Sequence, residues 1–191
     1  MESLLQEFSL RVVRAGETGE VGFDLWVPTA AAPILWQRLM EAGEPFGLRP
    51  VGLAALNSLR VEAGIPWCGT DATEENLLLE LPSEHAVSFT KGCYVGQEVV
   101  ARITYRGHVN RKLAGLVFPD AASPPRGAKV VGDGREIGVI TSPVYSPTLK
   151  RGIALGLLQR EWLDPGKRVE VPSDTGTLVG EVTALPFYRR D

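Results

Sequence analysis

The chain has 191 residues, 44% apolar and 23% charged, a composition that fits a soluble globular protein with one or two cores. Its formal charge of -3 excludes a global attraction to nucleic acid or to an anionic membrane, so any basic surface that matters is local. No apolar run approaches the roughly 20 residues that span a bilayer, and Met1-Glu2-Ser3 opens without the basic and apolar regions of a signal peptide, so the cytoplasm is expected and no membrane partner is. The two cysteines, Cys68 and Cys93, form no CxxC pair, and His85 and His108 lie far from either, so no resident metal site is expected.

Residues Phe8 to Arg14 and Phe23 to Val27 are β-branched and aromatic, with Gly16, Gly19 and Gly22 between them, which predicts a hairpin around an unusual loop. From Ala31 to Ala42, Leu35, Leu39 and Met40 recur at helical spacing, and Gly43 is placed to cap the segment. A second helix is predicted from Val51 to Ala63, with Leu53, Leu56, Leu59 and Ala63 as its apolar stripe and Arg60 along the edge. After an irregular stretch, Val95 to Ile103 has the pattern of a third helix. From Arg111 onward, short apolar runs at Leu113–Phe118, Lys129–Val131, Ile137–Ile140, Ile153–Leu158, Val169–Val171 and Leu178–Val182 alternate with Gly and Pro turns, which argues for a small antiparallel barrel or sandwich. The fold class expected is α+β, with a first domain over residues 1–110 and a β-barrel domain over 111–191.

Several segments carry residues suited to chemistry. In Lys91-Gly92-Cys93-Tyr94-Val95-Gly96, two glycines bracket a cysteine just ahead of a predicted helix, where a neighbouring ammonium and the helix dipole favour the thiolate; an inert cysteine in a Gly-rich turn is the plainer alternative. Gln97 and Glu98 open that helix, and Glu98 is spaced to pair with Arg102. Arg60, on a helix with an apolar stripe, needs either another acid or an anionic ligand. Arg102, Arg106, His108, Arg111 and Lys112 accumulate around Tyr105 without an acid, a patch suited to a folate glutamate tail, to nucleic-acid phosphate or to a solvated domain junction.

The run KGCYVGQE at 91–98 resembles the signature of folate-binding proteins of the YgfZ type, relatives of the glycine-cleavage T-protein that support assembly or repair of iron-sulfur enzymes. The resemblance implies that Cys93 and Lys91 are the residues tied to activity, with Tyr94, Gln97 and Arg102 beside a bound tetrahydrofolate. Thr18-Gly19-Glu20-Val21-Gly22-Phe23-Asp24 is similar to the TGExGFE segment of T-protein relatives, and Leu59-Arg60-Val61-Glu62-Ala63-Gly64 to their LRxExG helix end; both contribute to the folate site there, which implicates Glu20 and Arg60. A carboxylate such as Glu20 can accept two parallel N–H donors from the edge of a pterin.

The matched segments belong to the second half of those relatives, and Ala184-Leu185-Pro186-Phe187-Tyr188 resembles their ending. A shortened self-associating protein, one half of a split protein or a start codon assigned too late would each account for this. The first two imply a homodimer or a separately encoded N-terminal half as partner. The function expected from the resemblance is that of a tetrahydrofolate-binding accessory factor, with iron-sulfur clients or assembly machinery as partners. The alternatives are an aminomethyltransferase-like enzyme using folate and an accessory module for RNA modification.

Overall fold

The computed structural model describes residues 8–83, 86–173 and 176–189, and its architecture is α+β: a hairpin and three helices, then a closed six-stranded antiparallel barrel. His85 lies outside the described residues. Strands β1 (Arg11–Arg14) and β2 (Phe23–Trp26) pair antiparallel, Arg11 opposite Trp26 and Arg14 opposite Phe23. Helix α1 spans Ala32–Gly43 with Pro33 in its first turn, where a missing N–H costs nothing. Gly43 is not its left-handed stop as the sequence suggests. The chain runs on through a 3-10 turn at Glu44–Phe46 and breaks at Gly47, φ +75°, the conformation that a residue without a Cβ adopts freely.

Helix α2 covers Leu53–Glu62, and its buried face is not the stripe its leucines predict. Leu53 is 76% exposed, while Arg60, Val61 and Glu62 at the last turn are buried. Tertiary context overrides the periodicity, because only the end of the helix meets the barrel and two polar networks receive it there. Helix α3, Gln97–Arg106, starts two residues later than the sequence suggests, after Gly96 at φ +87°. Cys93 therefore precedes the first turn, where the helix dipole fades, and Glu98 and Arg102 form no ion pair.

The barrel strands are β3 (Arg111–Val117), β4 (Lys129–Gly132), β5 (Arg135–Ser146), β6 (Arg151–Gln159), β7 (Arg168–Ser173) and β8 (Gly176–Thr183). They close in the order β3-β6-β5-β4-β7-β8, with β8 returning to β3 at Leu116 opposite Val182. Strand β6 is buried along seven successive residues, because both of its faces are covered. Ala154 and Leu158 join Leu116, Phe118, Val130 and Val182 in the barrel interior. Ile153, Leu155 and Leu157 join Leu113, Val144 and Val61 of α2 in an outer layer. Both buried clusters thus rest on the barrel; among the described residues before 111, Val61 is the fully buried member, with Leu81 packed against the same cluster.

Candidate functional site

The last turn of α2 is tied to the barrel by two carboxylates. Asp71, 1% exposed in the loop after α2, accepts from the Trp67 N–H at 3.0 Å, from the Arg60 guanidinium, and from the hydroxyls of Thr141 and Ser142. Successive residues of a strand normally face opposite sides. Here the register between β5 and β6 shifts between Ile140 and Ser142, and this bulge lets both neighbouring hydroxyls reach the same carboxylate oxygen. Glu62 accepts from Ser146 Oγ, from Thr148 Oγ1 at 2.9 Å and from the Thr148 N–H at 3.4 Å, while its backbone oxygen accepts from the N–H groups of Phe187 and Tyr188. Helix, barrel and C-terminal tail are thereby held at one point.

Arg60 takes the ion-pair alternative. Its five N–H donors go to Asn57 Oδ1 twice, the Ile65 carbonyl, Asp71 and Ser142 Oγ, and its guanidinium stacks 4.7 Å from the centre of the Trp67 ring. No donor remains for a ligand, so the expectation that Arg60 binds folate directly is corrected: it positions the end of α2.

That end opens into two adjoining recesses. One, about 300 Å3, is lined by Thr18, Gly19, Glu20, Ala63, Tyr188 and Arg189. The hairpin loop reaches it because Gly19, at φ +76°, has no Cβ; one built there would stand 3.1 Å from that of Ala63. The other, about 880 Å3, runs between α2 and the barrel, with apolar walls from Ile65, Pro66, Leu113 and Leu185 and two cations, Lys112 and Arg189. Gly64, at φ +71°, keeps its floor open, since a Cβ would press on Leu185 at 3.0 Å. Ala63, Pro186 and Arg189 line both recesses, so they form one cleft of a size that suits a small organic ligand.

A separate recess of about 320 Å3 lies at the Gly-rich loop and is lined by Lys91, Tyr94, Gln97, Glu98 and Tyr105 among others. Lys91 Nζ sits 5.4 Å from the Tyr94 ring centre. The Gln97 side chain accepts from the Tyr94 N–H at 3.2 Å and so shapes the loop. Cys93 is exposed beside this recess, as is Cys68 in its own loop, and Arg102 projects from exposed α3. No residue lines both this recess and the Glu20 cleft, so the structure brings Lys91, Tyr94 and Gln97 together but not with Glu20. The basic run also divides: Arg111 pairs with Glu80 at 3.1 Å, Lys112 turns into the cleft, and Arg102 and Arg106 stay on α3. Among the described residues no helix is long and apolar enough to cross a membrane.

Sequence reading missed Asp71, Lys112 in its cleft role and Arg189. Asp71 lies in an irregular stretch, eleven residues from the arginine it neutralises, so no periodicity marks it. The tail did carry a signal in the resemblance of residues 184–188 to a family ending.

A hairpin loop and helix end set against a closed barrel, with a cleft between them, define an α+β protein of the T-protein-like fold. Residues 2–91 match the GCVT N-terminal domain, and residues 111–189 match the glycine cleavage T-protein C-terminal barrel domain. The chain is 38% identical over 177 residues to an aminomethyltransferase of Halalkalibacterium halodurans, covering 93% of this chain and 48% of that protein. It is 34% identical over 180 residues to one from Thermoanaerobacter pseudethanolicus, covering 94% and 49%. The crystal structure of the glycine cleavage system aminomethyltransferase T from Bartonella henselae superposes with a TM-score of 0.83 at 28% identity, over 93% of this chain and 49% of that one. The chain therefore spans about half the length of the relatives it matches. Their names agree with the aminomethyltransferase-like alternative better than with iron-sulfur maturation, which rests on the KGCYVGQE resemblance alone.

Proposed function

We propose that this chain forms one wall of a tetrahydrofolate site of the T-protein kind and acts on a one-carbon unit carried by that folate. The observation that carries the reading is the cleft itself. It joins the Glu20 loop, the end of α2 and the tail, and its larger recess sets Lys112 and Arg189 on apolar walls with no acid among that recess's lining residues. Only Glu20, in the adjoining recess, supplies a carboxylate. A reduced folate has matching parts: a pterin edge rich in N–H donors for Glu20, a flat apolar body for Ile65, Pro66 and Leu185, and glutamate carboxylates for the two cations. When bound, the folate supplies the nitrogen that carries the one-carbon unit. The residues of this chain bind and orient it and keep water from its apolar flank.

Calorimetric titration with tetrahydrofolate tests this. Glu20→Gln keeps the shape of the side chain but removes a charged acceptor, worth about 1.5–3 kcal/mol, so affinity should fall by roughly 10- to 100-fold. An unchanged dissociation constant in that variant, or no binding when the chain is joined to the unmatched half of a relative, would sink the reading.

A second reading is favoured by the exposed thiol of Cys93 next to the Lys91 recess, since aminomethyl transfer needs no thiol: an accessory role in maturation of iron-sulfur proteins, with Cys93 and Lys91 acting at a recess apart from the Glu20 cleft. It expects Cys93 to be alkylated several-fold faster than Cys68, which is also exposed, and Lys91→Met to erase the difference. Peptide mapping after limited iodoacetamide treatment measures both rates, and equal rates would count against it.

A further inference from the structure

The hairpin and α1 carry their apolar residues on the outside. All four residues of β1 are exposed, as are three of the four in β2. Phe23 is 61% exposed, Trp26 62% and Trp36 of α1 59%, and these three line a groove of about 520 Å3 between β2 and α1. A two-stranded sheet with both faces bare is marginal in water, and among the described residues each strand here has one free edge. Single exposed apolar residues are ordinary, but a contiguous apolar groove marks an interaction site.

The total surface is larger than that of a compact chain of this mass. The chain exposes 13009 Å2, whereas a compact monomer of 20.7 kDa exposes roughly 8,900 Å2. Granting the 13 residues outside the described set their maximum extended exposure, roughly 2,100 Å2, still leaves roughly 2,000 Å2 unexplained. Covered by a single partner, that area and its counterpart would total roughly 4,000 Å2, the size of an obligate interface.

We infer that the groove between β2 and α1, with the free edges of the hairpin, is the docking face for a complementary polypeptide of T-protein type, equivalent to the half of the relatives that this chain does not match. The occupant is a complementary half and not a second copy, because the fold shared with the Bartonella henselae protein makes up 93% of this chain and 49% of that one, whose remaining length is available to complete it. This rests on the T-protein-like reading and adds the partner that would complete its site. Strand addition at the hairpin edge would supply backbone hydrogen bonds, and Trp26 and Trp36 would supply the apolar anchor.

The test co-expresses the chain with the unmatched half of the Halalkalibacterium halodurans relative and, separately, with that of the Bartonella henselae protein. A one-to-one complex with at least one half is expected, with oxidative footprinting of Trp26 and Trp36 reduced several-fold. Trp36→Glu and Phe23→Glu should each weaken the complex at least tenfold while the melting of the barrel stays unchanged, since both side chains lie far outside its core. Failure of both halves to bind, a complex indifferent to both variants, or a homodimer closed through Trp36 would each overturn the inference. A complex that forms without affinity for tetrahydrofolate would remove the proposed function and leave this partner standing; folate binding by the chain alone, with no complex, would do the reverse.

Discussion

Asp71→Ala should lower the melting temperature by roughly 8–15 °C. The carboxylate neutralises a guanidinium that is itself 1% exposed and receives the Trp67 N–H and two barrel hydroxyls. Removing it strands a buried cation, which costs about 3–5 kcal/mol, and in a protein of this size each kcal/mol is worth about 2–4 °C. Pairing Asp71→Leu with Arg60→Met should recover much of the loss, because an apolar replacement of both partners leaves no uncompensated charge. Thermal and urea unfolding of the two singles and the double complete the cycle. Equal melting of wild type and Asp71→Ala would mean that the network does not hold α2.

Glu62→Ala should cost roughly 2–4 kcal/mol, since it strips a charged acceptor from Ser146, which is fully buried, and from both donors of Thr148. The consequence extends to the cleft. The backbone oxygen of Glu62 holds the N–H groups of Phe187 and Tyr188, so loosening this turn releases the tail that lines the Glu20 recess. Hydrogen exchange at residues 187 and 188 should accelerate in Glu62→Ala, and much less in Glu62→Gln, which keeps the volume and one acceptor. Unaltered protection there would separate the tail from α2.

These two residues also show where sequence reading stopped. The six barrel strands were legible because short apolar runs between Gly and Pro turns leave few alternatives, and the hairpin was legible from its β-branched flanks. The buried face of α2 was not. Leu53, Leu56 and Leu59 make a regular stripe, yet what decides burial is a bulge in β5 that aims two hydroxyls at an acid in a loop, and this arrangement is non-local. Arg60 was correctly read as needing a partner, but Asp71 carries no local mark of that role. The Glu20 loop and the tail were legible through resemblance, whereas the separation of the Cys93 recess from the Glu20 cleft could come only from the structure. The KGCYVGQE signature did not decide among folate chemistries, since the named relatives are aminomethyltransferases.

The polar end of α2 also constrains how the chain is made. Arg60 and Glu62 find their barrel partners 82 to 86 residues later in the sequence. During synthesis the helix leaves the ribosome well before Ser142, Ser146 and Thr148 exist to receive it, and at the usual pace of about 5–20 residues per second that interval lasts several seconds. Until β5 emerges, a helix bearing a guanidinium and a carboxylate on its docking face gains nothing by burying it. The same polar pair that fastens the finished protein thus keeps the nascent helix in water, and docking waits for the barrel.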